Sequence, residues 1–286
     1  MLFYSDMEIV CNDKLNALRS VIQDLGPQVI AFSGGVDSTF LAKVAYGVLG
    51  RNVMAVIARS PLHPAQEYEA AIKVAEKVGI ECVTINTEEM TSAHFTQNPP
   101  DRCYHCKKAL FSKLLDFAQK RGIPQVVEGT NFDDSADYRP GINALLELGI
   151  RSPLKEVRLT KADIRELSRE MGLSTWNKPA DACLASRFTY GEEITLSNLK
   201  KVEAAELYLH HLGFSQIRVR LHRDLARIEL NPAEISRFPD KNLRSKVLEQ
   251  LRKIGFTYVA LDLMGYRTGS MNEALSPGRE LTNTTK

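Results

Sequence analysis

The segment Ser33-Gly34-Gly35-Val36-Asp37-Ser38 places two hydroxyls, two adjacent glycines and a carboxylate directly after the apolar run Val29-Ile30-Ala31-Phe32. A buried strand that breaks into a Ser/Gly-rich turn and then a helix points several backbone N–H groups at one small volume. The positive end of the helix dipole points there too. Such a volume suits phosphate. The turn lacks the lysine and the spacing of G-x-x-x-x-G-K-[ST], and it is not G-x-G-x-x-G. The bland alternative is a glycine-rich turn without a ligand, in which two adjacent glycines between hydroxyls would be wasteful.

Cysteine is the second reactive type. The chain has five cysteines, an odd number that suggests thiol or metal chemistry rather than a disulfide framework. Cys103-Tyr104-His105-Cys106 is a C-x-x-C pair expected just before a helix, which alone reads as half a metal site or as a redox dithiol. No second C-x-x-C exists, and the pair does not follow the first strand as a thioredoxin-type motif would. Cys183 lies in Asp181-Ala182-Cys183-Leu184-Ala185-Ser186-Arg187, where Lys178 and Arg187 could stabilise a thiolate. Cys103, Cys106 and Cys183 together would suit three irons of a [4Fe-4S] cluster, leaving one iron open. Buried free cysteine is the alternative for each. Cys82 reads as a small core hydrophobe, and Cys11 sits near the start of the chain.

These groups need a scaffold. Apolar spacing predicts a helix over 13–24. A helix to about Val48, a strand over Val53–Ala58, a helix over 65–78 and a strand over 81–85 follow. An irregular stretch runs through Asp101, then a helix over about 106–120 and a strand over 125–128. This alternation predicts an α/β fold with a doubly wound parallel sheet, whose ligands sit beyond the carboxyl ends of the strands. The Ser33 turn and Gly129-Thr130-Asn131-Phe132-Asp133-Asp134 both fall there. Thr160-Lys161-Ala162-Asp163 reads as a capping box starting a helix that stops at Gly172.

From about Tyr190 the pattern becomes helix (197–212), two alternating runs joined by His222-Arg223-Asp224, helix (243–254) and strand (258–263). That order predicts a second, smaller α+β domain of split βαβ type. The expected division is 1–190, 191–275 and a flexible tail over 276–286.

Composition narrows the classes. With 44% hydrophobic and 25% charged residues the chain is globular, and 37 basic against 35 acidic residues argue against coating nucleic acid. The first ten residues carry Asp6 and Glu8, so neither a signal peptide nor a membrane span is expected, and the cytoplasm is the expected compartment.

The Ser33–Ser38 turn resembles the PP-loop, S-G-G-x-D-S, of ATP pyrophosphatases, which implies attack on the α-phosphate of ATP and release of pyrophosphate. With Arg102-Cys103-Tyr104-His105-Cys106-Lys107, Gly129-Thr130-Asn131, Asp133, Asp134, Asp137-Tyr138-Arg139-Pro140-Gly141 and Cys183-Leu184-Ala185-Ser186-Arg187, most of the chain resembles one family. These are the LarE-like ATP-dependent sulfur transferases that build the nickel-pincer cofactor of lactate racemase. The resemblance implies adenylation of a carboxylate on a pyridinium dicarboxylate mononucleotide, then conversion to a thiocarboxylate, twice per molecule. Some members give up the sulfur of one loop cysteine and leave dehydroalanine. Others carry three cysteines around a [4Fe-4S] cluster, the variant that the C-x-x-C pair favours here.

By the same resemblance Ser33, Gly34, Gly35, Asp37, Ser38, Ala58, Gly129 and Asn131 bind ATP. Asp37 with Glu206 or Glu229 would hold Mg2+. Ser186, Arg187, Asp137 and Arg139 would contact substrate, and Cys183 and Asp37 would be catalytic. Arg218 and Arg220 alternate on one strand face and could clamp a dicarboxylate or a phosphate; a solvated strand face is the alternative. A homo-oligomer and transient contact with other enzymes of the cofactor's synthesis are implied as well.

Three alternatives stay in view. A tRNA-thiolating PP-loop enzyme would add a basic domain or zinc-ribbon cysteines, which are missing here. An amidating member such as NAD synthase would not need Cys183 or the C-x-x-C pair. A non-catalytic ATP-sensing module would bind ATP without releasing pyrophosphate.

Overall fold

Gln28–Ala31 (β1), Val53–Arg59 (β2), Glu81–Asn86 (β3) and Gln125–Val127 (β4) pair in parallel in the order β3-β2-β1-β4. The computed structural model describes the backbone of residues 2–136, 140–179, 182–267 and 269–270, and side chains from Asn12 onward except 135 and 136. β1 is central: Gln28 lies opposite Val53 on one side and Gln125 on the other. Its Val29 and Ile30 are both fully buried, so the strand reads as a continuous apolar run rather than an alternation.

The helices α1 (Leu2–Leu25), α2 (Val36–Leu49), α3 (Ala65–Val78), α4 (Ala93–Thr96), α5 (Arg102–Gln119), α6 (Pro140–Glu147), α7 (Pro153–Glu156) and α8 (Lys161–Glu170) follow in chain order. Leu18, Ile22, Phe40, Leu41, Ala75 and Ile164, from four of them, pack with Ile30 and Ile57 on one sheet face. Val29 and Val56 face the other way, onto Phe111 and Leu114 of α5 and Leu145 of α6. Each fully buried side chain of this size contributes about 1.5–3 kcal/mol through burial. Helices on both faces make the doubly wound sheet that the alternation predicts. The chain winds outward from β1 to β3 and then crosses to β4, so the loops after β1 and β4 leave the sheet at a topological switch point.

Two helix boundaries differ from expectation. α1 begins at Leu2 rather than near residue 13, and α5 begins at Arg102, so Cys103 and Cys106 lie inside its first turns rather than before it.

The chain folds as two compact units, Met1–Glu89 with Asp101–Asp181, and Met90–Pro100 with Ala182–Lys286. The expected limit after residue 190 therefore falls inside the second unit, which also recruits the 90–100 segment. Hydrogen bonds explain the recruitment: Ile194 N–H donates to Thr96 O (2.8 Å), Gly191 N–H to Asn98 O (2.9 Å), and Asn98 Nδ2 to Thr189 O (2.7 Å).

The second unit holds α9 (Leu196–His211), β5 (Ile217–His222), β6 (Leu225–Leu230), α10 (Lys241–Ile254) and β7 (Tyr258–Leu261). β5 and β6 form the expected antiparallel hairpin, and β7 pairs in parallel with β6. Because β6 and β7 are direct neighbours, the βαβ unit is not split, which corrects the expected topology. β6 takes the middle because Ala226, Ile228 and Leu230 are fully buried on one face and Glu229 on the other, while Tyr258 on β7 stays exposed.

Candidate active site

The Ser33–Ser38 turn is built by glycine and by its own hydroxyls. Gly34 has φ +69°, and a Cβ there would lie 2.7 Å from Ala71 Cα and Cβ, so both conformation and space demand glycine. The Ser33 and Ser38 hydroxyl oxygens are 3.1 Å apart, Ser38 Oγ accepts from Ser33 N–H at 3.3 Å, and Gly35 N–H donates to Ser33 Oγ at 3.3 Å. Gly35 stands at the N-cap of α2 without a side-chain cap, which leaves the helix's first amides for a ligand.

The loop after β4 closes against this turn. A Cβ on Gly129 would sit 3.1 Å from Ser38 N, so glycine allows the two loops to meet. Asn131 Oδ1 accepts from Asp133 N–H (2.9 Å) and Asp134 N–H (3.3 Å), while its Nδ2 reaches Asp37 Oδ2 at 3.5 Å. Lys161 Nζ bonds the same Oδ2. Asp37 Oδ1 is buried and has no hydrogen-bond partner among the described residues. Burial pushes the Asp37 carboxyl above its usual range, and the Lys161 ion pair opposes that shift without overcoming it.

Lys161 is the residue that sequence reasoning passed over. The Thr160–Asp163 capping box forms, with Asp163 N–H donating to Thr160 Oγ1 (3.2 Å) and Thr160 N–H to Asp163 Oδ2 (2.9 Å). The box fixes the start of α8, and Lys161 is that helix's first residue. The signal lay in the sequence but pointed to a helix start rather than to a cation.

Beyond β1 and β2 a cavity of about 170 Å3 is lined by Ser33, Ile57, Ala58, Tyr68, Ala71 and Leu110, among others. Ala58 and Ser33, both expected at a nucleotide, thus line one space. Its apolar walls beside the phosphate turn would accept a purine ring.

The cysteines sort by environment. Cys103 is exposed and Cys106 half-buried, three residues apart on one face of α5. Cys82 packs against the core, and burial, with Glu76 second, pushes its thiol up to about 11, as a small core side chain would behave. Cys183 is half-buried at the start of the short 3-10 turn Leu184–Arg187. Among the described residues no three His, Cys, Asp or Glu side chains converge to hold a metal ion.

The arginines and glutamates of the second unit depart from expectation. Arg187 and Arg220 are 4% and 5% exposed. Arg187 Nε and Nη2 pair with both oxygens of Glu206 at 2.9 Å, and Val219 N–H donates to Glu206 Oε1 at 2.8 Å. Arg220 Nη2 donates to Glu229 Oε2 at 2.9 Å, and Arg227 Nη2 lies 3.2 Å from Glu229 Oε1. Glu206 and Glu229, expected beside Mg2+, are thus each paired with arginine, which compensates the charge of a buried carboxylate. Ser186 Oγ accepts from Arg187 Nη1 at 3.0 Å. Arg218 is half-buried, donates to Ile217 O (2.7 Å) and lies over the Tyr266 ring at 5.3 Å. Asp137 and Arg139, like residues 276–286, lie outside the described residues.

A parallel sheet with a Ser-Gly-Gly turn at its switch point, a half-coordinated aspartate and an adjoining cavity defines an ATP-using enzyme of the PP-loop type. Residues 10–120 match the NAD synthase family model. The chain is 43% identical over 270 residues to the pyridinium-3,5-bisthiocarboxylic acid mononucleotide synthase of Lactiplantibacillus plantarum, covering 94% of this chain and 97% of that one. It is 46% identical over 263 residues to an uncharacterized Synechocystis protein, covering 92% and 98%. A Methanocaldococcus jannaschii protein, also uncharacterized, is 31% identical over 240 residues, covering 84% and 90%. The chain belongs to the LarE-like family of ATP-dependent sulfur transferases. No helix among the described residues is long and apolar enough to cross a membrane.

Proposed function

We propose that this enzyme adenylates the carboxylates of a pyridinium dicarboxylate mononucleotide and converts them to thiocarboxylates in nickel-pincer cofactor synthesis. The observation that carries the reading is the Asp37 carboxylate, with one buried oxygen unpartnered, set in a phosphate turn beside a purine-sized cavity. The name of the Lactiplantibacillus relative, a pyridinium-3,5-bisthiocarboxylic acid mononucleotide synthase, supports the substrate class.

A carboxylate is a poor acyl donor because its leaving group would be oxide; its mixed anhydride with AMP has a good one. The substrate carboxylate oxygen attacks the α-phosphorus of ATP and the bond to the β-phosphate oxygen breaks, releasing pyrophosphate. Ser33 and Ser38 hydroxyls and the amides at the start of α2 hold the phosphates, and Lys161 moves from Asp37 onto them. Mg2+, bound at Asp37, would neutralise charge on the departing pyrophosphate. Gly129 keeps the β4 loop close, and Asn131 orients Asp37.

In the second step the Cys183 thiolate attacks the acyl carbon and AMP leaves, forming a thioester. Loss of the Cys183 α-proton then breaks the Cβ–S bond, leaving a thiocarboxylate and dehydroalanine. The C-x-x-C pair on α5 favours a second source. A [4Fe-4S] cluster held by Cys103, Cys106 and Cys183 would deliver an extra inorganic sulfide, beyond its own four, and spare the side chain. The same reading places the enzyme in the cytoplasm as a homo-oligomer. Exposed Leu263 (86%) and Met264 (49%), following β7, support self-association.

The test is to purify the full chain without oxygen, assay iron and acid-labile sulfide, and supply ATP with the mononucleotide. Pyrophosphate and thiocarboxylate formed together are expected. Close to four irons per chain, lost with any one of the three cysteines, assigns the cluster route; no iron and dehydroalanine at position 183 assign the sacrificial route. ATP bound without pyrophosphate release would sink the proposal and favour a sensing module.

A further inference from the structure

We infer that Arg187 and Arg220 are positioning residues that hold the backbone around Cys183 in one conformation, each locked from behind by a buried glutamate. The inference rests on the reading of Cys183 as the residue of the sulfur step.

The Cys183 loop has little secondary structure of its own beyond the short turn Leu184–Arg187. Its carbonyls must nevertheless be satisfied as the chain enters the protein. Arg187 Nη1 donates to the carbonyls of Ala182 and Cys183, the latter at 3.0 Å. Arg220, projecting from β5, donates from Nη1 to Ser186 O at 2.9 Å. Three carbonyls spanning the cysteine are thus held by two guanidinium groups, that of Cys183 also accepting from the Ser186 amide of the short turn.

The opposite edges of both guanidiniums are fixed. Glu206 on α9 grips Arg187 through two bonds and is itself fixed by Val219 N–H, next to Arg220. Glu229 on β6 holds Arg220, and Ser270 Oγ bridges the pair, accepting from Arg220 Nη2 at 2.9 Å and donating to Glu229 Oε1 at 3.1 Å. A bridge between Phe188 and Leu221 ties the loop's exit to the same strand. Buried ion pairs are weak sources of net stability because desolvation offsets the attraction. Two of them converging on one loop fit a demand for geometry, since a misplacement of one ångström at a reacting atom can cost about 100-fold in rate.

The test compares Arg220→Lys and Glu206→Gln with the unaltered full-length chain. Each variant keeps similar bulk and removes part of the fork. The quantity measured is thiocarboxylate formed per pyrophosphate released, which reports how often the adenylate meets a placed sulfur. A fall of about tenfold or more is expected, with Cys183 alkylation by a small neutral reagent altered and that of Cys82, against the core of the first unit, unchanged. An unchanged ratio, or Cys183 and Cys82 reactivities shifting together, overturns the inference.

Amide hydrogen exchange on the unaltered chain needs no variant to fold. The Ser186 amide, which donates to Cys183 O at 3.0 Å, is expected to exchange as slowly as the β5 amides; exchange at the rate of an open loop overturns the clamp. Cys183→Ala separates the premises: if it still forms thiocarboxylate at the normal ratio, the reading of Cys183 fails, whatever the arginines do.

Discussion

The phosphate turn of the first unit and the Cys183 loop of the second solve the same problem by opposite means. Both must hold a short irregular segment rigid. The first does so locally, with Gly34 in a left-handed conformation, Ser33 and Ser38 bonded to one another, and a helix starting at once. The second does so at long range, with guanidiniums from the loop's end and from β5 backed by carboxylates on α9 and β6. Local devices cost little to fold and leave backbone amides free for a ligand. Long-range charged devices demand complete partnering, so they should fail abruptly when one member is removed.

The sharpest way to break the contrast is Glu206→Ala. It leaves the Arg187 guanidinium buried beside an empty space, and a loss of about 3–5 kcal/mol in denaturant-unfolding free energy is expected. A loss below about 1 kcal/mol would mean that the buried pair behaves like a surface one, and the contrast would collapse. Asp37→Asn probes the first region. It keeps the shape of the turn and removes the carboxylate charge proposed to hold Mg2+, so pyrophosphate release should fall about 100-fold while the melting temperature changes little. A variant that released pyrophosphate normally would remove Asp37 from the chemistry.

Gly34→Ala is the next step down. A Cβ at φ +69° costs about 1–2 kcal/mol, and its overlap with Ala71 must be relieved by moving α3 away from the turn. ATP affinity, measured by calorimetry, is expected to drop with stability. A variant that loses stability yet binds ATP as tightly as before would show that the turn's shape is not what the phosphates read.

The same contrast explains what is legible in the sequence. The phosphate turn and the hairpin of the second unit rest on neighbours within a few residues, and each strand and helix of the sheet announces itself by its own local pattern, so spacing and residue type make them legible. Gly34 is legible for that reason, whereas Gly129 and Asn131, which meet the turn from the loop after β4, are named as ATP contacts only by the family resemblance. The arginine–glutamate pairs join residues 19 and 9 positions apart through tertiary packing, and a charged residue on a strand looks the same whether it faces water or a buried carboxylate. Hence the expectations for Glu206, Glu229 and Arg220 are formed without sight of their pairing. The unsplit βαβ unit is hidden for a related reason, since strand order is set by which strand can bury both faces, a property of the assembled sheet.

Thr160→Ala tests whether a purely local device can act at the site from a distance. Thr160 caps α8, and removing its hydroxyl breaks one half of the capping box while leaving Asp163 able to accept from the residue-160 amide. A loss of about 1 kcal/mol in stability is expected from the cap alone. Lys161 follows the cap directly, and its Nζ bonds Asp37 while its N–H donates to Asp133 Oδ2 at 2.8 Å. Fraying of the first turn therefore loosens the cation that faces the Asp37 carboxylate. Pyrophosphate release should slow by a fewfold at saturating ATP, and a Thr160→Ser variant, which restores the hydroxyl, should recover both stability and rate. Recovery of stability without recovery of rate would mean that the cap supports the helix but does not place Lys161, and the aspartate–lysine pair would then be positioned by packing of α8 against α2 instead.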